Sequence, residues 1–212
     1  MSLPESSAKL ARVPTGFNVV PPPGWDIIPL QNGTDEAIRK IVNKSVLQLP
    51  PGFPKDDIPK ARLRLIKELK ETVRQARKSN GLSLYLPIER IHGMIIPASF
   101  VASEPLHAQV GDVDSRDLLI NIAQNADISS ARELDEIAAV RTLQKLPPAP
   151  DKGVEVPSWR VQYVVPIPNS TPARLMTFTF STLIVPDMDI KFAETLVELF
   201  DAVMTTFRWS YA

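Results

Sequence analysis

The most constraining feature of this sequence is a strand pattern followed by a helix pattern near its C-terminal end. Between residues 174 and 184 the side chains alternate, with Met176, Phe178 and Phe180 on one face. The next segment has the apolar period of a helix, and its stripe comprises Phe192, Leu196, Leu199, Phe200, Val203 and Phe207. Because neither apolar face is stable in water, we predict that this helix packs on that face of a sheet.

Strand and helix patterns also follow one another through the rest of the chain. Short β runs flank the prolines at 21–23, and two helix patterns lie between Thr34 and Asn80. The later strand patterns cover residues 82–86, 94–103, 134–146 and 159–165. Because consecutive strands are joined by hairpin-sized links, we expect an α+β fold. It would have a mainly antiparallel sheet of about six or seven strands with helices packed on its faces.

The sequence predicts one folded domain. The chain has 212 residues, of which 21 are proline and 8 are glycine, and no linker divides its apolar segments. A chain of this length buries a core without disulfide bonds or metal ions. Residues 1–12 are polar, and we predict a disordered tail there, followed by a single α+β domain over residues 13–212.

Charge and composition argue against several classes of function. Lys and Arg number 24 and Asp and Glu number 24, so the formal net charge is zero, which makes nucleic acid an unlikely partner. Cysteine is absent, which excludes disulfide bonds, thiolate catalysis and Cys-ligated metals. The motifs of phosphate-cradling loops and of nucleophilic serines are also missing. We therefore predict no cofactor and no metal site.

No segment has the pattern of a membrane span or of a secretory leader. The longest uncharged run, residues 161–173, contains three prolines, whereas a spanning helix needs about 20 mainly apolar residues. The N-terminal residues lack the basic-then-apolar order of a signal peptide. The sequence as written predicts a cytoplasmic protein, and an exported domain is the alternative if a leader was trimmed.

Histidines and clustered aspartates are candidates for acid–base chemistry or metal binding. His92 lies in a predicted turn and His107 in a predicted loop, and neither belongs to a motif that pairs metal ligands. We interpret both as surface or hydrogen-bonded residues. Asp112, Asp114 and Asp117 resemble the beginning of a calcium loop, but its later ligand positions are not filled. Capping of a helix is the favoured role for these aspartates.

A second acidic group consists of Glu133, Asp135 and Glu136. A pair of carboxylates performs acid–base chemistry when its surroundings split the two pKa values. These three residues fall in a polar segment that leads into a predicted strand. A solvated loop is therefore the favoured interpretation, and an acid–base pair is the alternative.

The strongest candidate for a binding surface is the second helix, residues 58–79. Between its first and last lysine it contains eight Lys or Arg and two Glu, a net charge of +6 in a neutral protein. The basic residues that we predict on one face are Lys60, Arg64, Lys67, Arg74 and Lys78. This face would attract an acidic partner, a phosphate-rich polymer or an anionic membrane. The alternative is a solvated face in which the basic residues pair with the two glutamates.

Both ends of the predicted domain resemble the PsbP-like fold group. The first strand contains Phe17 and Val19 and leads through a Pro/Gly turn to Trp25, and the last helix runs into the segment 206–209, Thr-Phe-Arg-Trp. The group includes an extrinsic protein of the oxygen-evolving complex, a Ran-binding import factor and small bacterial lipoproteins, and uncharacterised actinobacterial proteins have a similar layout. The resemblance implies a helix packed on an antiparallel sheet. It also implies interaction rather than catalysis.

These observations favour one class of function and leave two alternatives. The first hypothesis is a non-catalytic module that binds a protein partner, whose identity and stoichiometry the sequence does not give. The second is an anion-binding module that uses the basic helix, residues 58–79. The third is a hydrolase whose carboxylate or histidine site is not recognisable in the sequence.

Overall fold

The structure is a computed structural model, and it describes residues 12–50, 52–90, 93–94, 96–105, 115–150, 154–186 and 188–212. The described helices are α1 (Thr34–Leu47), α2 (Ile58–Lys78), α3 (Ser115–Gln124) and α4 (Ile190–Thr205). The described strands are β1 (Gly16–Asn18), β2 (Trp25–Pro29), β3 (Gly81–Pro87), β4 (Ala98–Ser103), β5 (Ile128–Leu134), β6 (Ile137–Leu146), β7 (Ser158–Pro166), β8 (Leu175–Leu183) and β9 (Arg208–Ser210).

Seven of these strands form one antiparallel sheet, in the order β2-β3-β4-β8-β7-β6-β5. Strands β1 and β9 form a separate two-stranded sheet in which Phe17 pairs with Trp209. Helices pack on both faces of the large sheet. The α+β fold class and the mainly antiparallel sheet are therefore confirmed.

The face of the sheet under α4 carries the aromatic core. Phe200, in the middle of α4, stacks on Phe180 of β8 with ring centroids 5.0 Å apart and meets Phe100 of β4 at 5.4 Å. Phe207, just beyond the helix, meets Phe178 of β8 edge-on at 5.3 Å. All five rings are at most 2% exposed. The predicted packing of the last helix on the Phe178–Phe180 face is thus confirmed.

Among the residues that the structure describes, helices cover the opposite face of the sheet at its two sides. On one side, Leu69 of α2 packs in a cluster with Leu84 of β3 and residues of α1 and β2. On the other side, Leu119 of α3 packs with Val140 of β6 and Val164 of β7. Between these two clusters, β4, β7 and β8 present a strip of polar side chains, which forms the floor of the candidate site described below.

The acidic segment at 133–136 differs from the sequence-based interpretation. Glu133 lies inside strand β5, where it pairs with Ala138, and Asp135 and Glu136 form the turn to β6 with φ of +48° and +67°. Such turns are usually marked by Asn-Gly or Asp-Gly, and this chain uses Asp-Glu instead. The Asp135 carboxylate accepts a hydrogen bond from the Trp209 backbone N–H at 2.9 Å. The turn is therefore held against β9.

Two other polar residues make contacts that the sequence did not indicate. Gly33, with a φ of +75°, occupies the N-cap position of α1, and the Thr34 hydroxyl donates to the Pro29 carbonyl at 2.7 Å. Asp201 of α4 lies outside the apolar stripe of the helix, but it accepts hydrogen bonds from Arg141 of the sheet. The helical period identifies the apolar side of a helix. It does not show that a strand distant in the sequence places a cation beside a polar residue of that helix.

Several residues singled out in the sequence lie outside the described part of the chain. These are His92, His107, Asp112 and Asp114. The predicted tail, residues 1–12, is described only at Arg12, whose side chain donates to the carbonyl of Ala212 at 3.2 Å. The predictions for these residues therefore stay predictions.

Candidate functional site

The five basic residues predicted on one face of α2 are all exposed, but three of them have carboxylate partners. The Lys60 ammonium lies 3.4 Å from Asp57, and Arg64 lies 2.8 Å from Glu68. Arg74 pairs with Glu71. The exposed fractions of these side chains are high, so the pairs are screened by water and add little stability. They offset part of the positive charge at these three positions.

Two further cations of α2 tie the helix to its neighbours. The Lys70 ammonium lies 3.0 Å from the carboxylate of Asp35 in α1, which lowers the pKa of Asp35. The Arg77 guanidinium donates to the Leu30 carbonyl at 2.6 Å and to the Thr34 hydroxyl at 2.9 Å. These contacts give Lys70 and Arg77 a structural role in the packing of α1 and α2.

Lys78, the last of the five predicted residues, is placed differently from the others. It lines a cleft of about 610 Å³ that lies between the C-terminal end of α2 and the polar strip of the sheet. Ala76 and Ser79 form the helix side of this cleft. We call it the hydroxyl cleft, because most of its floor consists of serine and threonine side chains. The structure thus brings one end of the predicted basic face to a concave site.

The register of the sheet explains why polar side chains collect in the hydroxyl cleft. In one row across the sheet, Ser99 of β4 pairs with Ser181 of β8, which pairs with Arg160 of β7. In the next row on the same face, Thr179 of β8 pairs with Gln162 of β7. Since alternate residues of a strand face the same side, these rows place their side chains on one surface. The cleft floor is therefore assembled from four strands, since Gln144 of β6, which pairs with Arg160, also lines it.

Hydrogen bonds fix part of this floor. The hydroxyls of Ser103 and Thr177 are 2.7 Å apart, and both residues are buried. The Gln162 amide donates to the Thr179 hydroxyl at 3.2 Å. Ser99 and Ser181 make no side-chain hydrogen bond to another described residue, and both are half-buried at the middle of the floor. The cleft therefore has a rigid polar end and two hydroxyls that are open to a ligand.

The charged side chains that line the hydroxyl cleft are Lys78 and Arg160, and both are positive. Within the described chain neither forms an ion pair with a carboxylate. No carboxylate or imidazole is among the lining residues that the structure describes, so none of them would act as a base toward the cleft hydroxyls. The arrangement is suited to holding a negatively charged group by hydrogen bonds and charge.

A second polar cluster lies on the other face of the sheet, between β6, β7 and α4. Arg141 donates two hydrogen bonds to Asp201, at 2.7 and 2.9 Å, and the Tyr163 hydroxyl donates to the same carboxylate at 2.8 Å. Burial of Tyr163, together with the nearby Asp201, raises the pKa of the tyrosine to about 12. The carboxylate is fully engaged by its two partners, so this cluster joins α4 to the sheet.

The other sequence candidates do not form a site among the described residues. Glu133 and Glu136 are exposed, and Asp135 is tied to β9. In the parts of the chain that the structure describes, no three His, Cys, Asp or Glu side chains come together as metal ligands would. The described helices also include none that is long and apolar enough to cross a bilayer.

The sequence contained part of the signal for the hydroxyl cleft. The alternation in β8 places Thr177 and Thr179 on the face opposite Phe178, and that pattern is readable without a structure. The contributions of Ser99 and Gln162 were not readable, because they depend on which strands are neighbours in the sheet. Arg160 was missed for the same reason.

Comparisons with known proteins do not assign a family to this chain. No family model matches it, and no curated protein matches it. Its fold is similar to that of LpqN, a protein involved in cell envelope biogenesis of Mycobacterium tuberculosis, with 10% sequence identity and a TM-score of 0.48. The match covers 92% of this chain and 86% of LpqN. Likeness at this level carries no argument about function, and the resemblance to the PsbP-like group stays a prediction.

Proposed function

We propose that this chain is a non-catalytic binding module whose hydroxyl cleft takes a small anionic ligand. The observation that carries the proposal is the charge of the cleft: Lys78 and Arg160 line it, and its described lining contains no carboxylate. An anion would form charge-assisted hydrogen bonds with these two side chains, and such bonds are stronger than neutral ones. Ser99 and Ser181 would donate to the same ligand or to its hydroxyl groups.

In this site only the C-terminal end of the basic helix α2 takes part in anion binding. Lys60, Arg64 and Arg74 are partly neutralised by carboxylates on the outer face of α2. Lys78 acts instead from the C-terminal end of the helix, together with a cation from β7. A concave site also removes more of the ligand from water than a convex helix face does, which strengthens each polar contact.

The test is a calorimetric titration with glucose 6-phosphate, a probe that carries both a phosphate and hydroxyl groups. The double variant Lys78→Gln/Arg160→Gln should lose at least about tenfold in affinity, the effect of losing roughly 1.4 kcal/mol of charged contacts. The matched control is Arg39→Gln/Lys67→Gln, which removes two exposed cations outside the cleft lining. Binding by the control should stay within about twofold of the parent protein.

Two outcomes of this titration would count against the anion site. One is the absence of any heat of binding with the parent protein. The other is an equal loss of affinity in the cleft variant and in the control, because that would assign binding to net charge rather than to the cleft. Glucose without the phosphate should bind far more weakly, since it lacks the group that Lys78 and Arg160 would hold.

A protein partner is the second candidate, and the outer edge of the sheet favours it. Strand β5 is last in the strand order, and five of its seven residues are exposed. An edge strand presents unpaired backbone groups to which an extended peptide adds as a further strand. The test is a pull-down whose partner is lost on Ala131→Pro and kept with Glu198→Gln on α4. A partner retained by both variants would place its contact away from β5.

A further inference from the structure

A second concave surface continues from the hydroxyl cleft along the same flank of α2. It has a volume of about 680 Å³, and its lining is mainly apolar. Ser99 and Ser181 line both spaces, so the two clefts meet at this pair of residues. We call the second space the apolar arm. Together, the two spaces form one trough with a polar end and an apolar end.

The helix side of the trough is set by the period of α2. On the helix side the trough is lined by Lys78 and by a series that recurs every three or four positions and so lies on one flank, namely Leu65, Leu69, Thr72 and Ala76 of α2 and Ser79 just after it. Along this flank the side chains change from leucine, through threonine and alanine, to serine. The helix therefore contributes an apolar wall to one end of the trough and a polar wall to the other.

The floor changes in the same direction as the wall. In β8, Leu183 lines the apolar arm, Ser181 lies at the junction, and Thr177 lines the polar end. The six residue steps between Leu183 and Thr177 correspond to about 20 Å of strand. On the β4 side, Pro97, just before the strand, lines the apolar arm, and Ser103, its last residue, lines the polar end, so this side changes in the same direction.

The apolar arm is partly exposed to water, which is typical of a surface that a ligand covers. Leu183 is 40% exposed at the end of β8, although Leu69 across the arm is 9% exposed. An apolar recess of this size that is open to water is a typical feature of a ligand site. The charged residues of the arm, Glu89 and Arg90, have opposite signs, whereas those of the other end, Lys78 and Arg160, are both cations, so an anionic head would be complementary in charge there.

We propose that the trough binds a single-chain anionic amphiphile, with its head in the hydroxyl cleft and its hydrocarbon chain in the apolar arm. This inference rests on the proposed anion site and adds the chemical class of the ligand. The head would carry a phosphate, sulfate or carboxylate, which Lys78 and Arg160 would contact. The chain would pass over Ser99 and Ser181, which lie side by side on the floor, and would lie against Leu69 and Leu183.

The test compares methyl phosphate with octyl phosphate, used below its micellar concentration, in titrations followed by NMR. Each buried methylene should strengthen binding by about three- to fourfold, so octyl phosphate should bind at least a hundredfold more tightly than methyl phosphate. Ser181→Leu, which fills the junction, should remove most of this difference.

A second variant tests the apolar arm without changing the residues of the junction. Leu183→Asn makes the exposed side of the apolar arm polar, and it should reduce the gain from octyl over methyl phosphate by at least about fivefold. The matched control is Leu63→Asn on the outer face of α2, where the leucine is 68% exposed and outside the trough lining. This control should bind both probes as the parent protein does.

The outcomes separate this inference from the anion site on which it rests. If methyl and octyl phosphate bind equally well, and both lose affinity in Lys78→Gln/Arg160→Gln, the amphiphile inference is wrong and the anion site stands. If neither probe binds the parent protein, both proposals are wrong. If octyl phosphate binds more tightly but the junction and arm variants keep the full gain, the chain lies elsewhere and the amphiphile inference is overturned.

Discussion

The two faces of the seven-stranded sheet come from the same strands but carry opposite chemistry. In β8, Phe178 and Phe180 face α4 and are at most 1% exposed. Their neighbours Thr179 and Ser181 face the hydroxyl cleft and are half-buried. One residue step therefore separates a close-packed aromatic core from a polar cleft. Packing on the α4 face stabilises the sheet, so the polar side chains on the other face are available to bind a ligand.

The two strands next to β8 show the same difference: their side chains are buried on the α4 face and more exposed on the cleft face. In β4, Phe100 is 1% exposed under α4 while Ser99 lies on the cleft floor. In β7, Val161 is fully buried while Arg160 is exposed beside the cleft. A sheet covered on both faces would carry apolar residues at all of these positions. The polar strip is thus a local departure from the rule for buried strands, and such departures are expected at functional sites.

The largest expected effect is on the α4 face. Phe200→Ala should lower the free energy of unfolding by about 3–5 kcal/mol, because it removes a ring that contacts Phe180 and Phe100 and leaves a cavity. Glu198→Ala, two residues away and exposed, should change it by less than about 0.5 kcal/mol. Denaturant melts of both variants provide the measurement. Equal losses would show that α4 does not hold the sheet in the way described here.

The next effect concerns the ion pair that joins α4 to the sheet. Asp201→Asn should lower the free energy of unfolding by about 2–3 kcal/mol, because it leaves the buried Arg141 guanidinium without a charged partner. The Asp201 side chain is 31% exposed, so we expect less than the full cost of a broken buried pair. Glu194→Gln, on the exposed side of α4, is the control. A loss below about 0.5 kcal/mol in Asp201→Asn would mean that water replaces the carboxylate.

A smaller effect is expected at Tyr163, and it depends on pH. Tyr163→Phe removes one hydrogen bond to Asp201 and should cost about 1–1.5 kcal/mol at pH 8. The pKa of Tyr163 is raised to about 12 in the folded protein, whereas an unfolded tyrosine titrates near 10. Between these values the unfolded chain loses the proton first, so the parent protein loses up to about 1.4 kcal/mol per pH unit relative to the variant.

The measurement for Tyr163 is a set of urea melts of both proteins between pH 8 and pH 11.5. Other tyrosines and lysines titrate in both proteins and cancel in the difference. The stability advantage of the parent protein should be constant below about pH 9.5 and should shrink above it. An advantage that stays constant up to pH 11.5 would show that burial beside Asp201 does not raise the pKa of Tyr163.

The smallest expected effect is on the cleft face. Thr179→Val removes a hydroxyl that accepts one hydrogen bond from Gln162, and it should change the free energy of unfolding by less than about 1 kcal/mol. The adjacent change Phe180→Ala, on the α4 face, should cost about 3–5 kcal/mol. Comparing these neighbours in β8 isolates the two faces within one strand. If Thr179→Val were as costly as Phe180→Ala, the cleft floor would be part of the core.

The sequence predicted the α4 face well and the cleft face only in part. A helical stripe and a period-two strand each identify their own buried side, so the contact between Phe200 and Phe180 followed from pattern alone. Strand β5 was missed, because its residues are exposed and its turn, Asp135-Glu136, lacks the usual glycine. The ion pair between Arg141 and Asp201 was also not predicted, because the two residues are 60 positions apart in the sequence.

The candidate site shows the same limit more strongly. Lys78 was identified as one of five basic residues, yet the period of α2 alone did not separate it from Lys60 or Arg64. What distinguishes it is the neighbouring sheet, which brings Arg160 and the two serines of the cleft floor to the same space. Such a site depends on strand order, and strand order in a seven-stranded sheet is not encoded in the pattern of any one segment.

The most direct test of the two-face account is a methyl NMR titration with octyl phosphate. We expect shifts at methyl groups in the trough, such as those of Leu69 and Leu183, because the ligand would lie against them. We expect no shift at Leu196 and Val203, which lie on the buried side of α4. Shifts at the α4 methyl groups, with the trough methyl groups unchanged, would contradict the assignment of one face to stability and the other to binding.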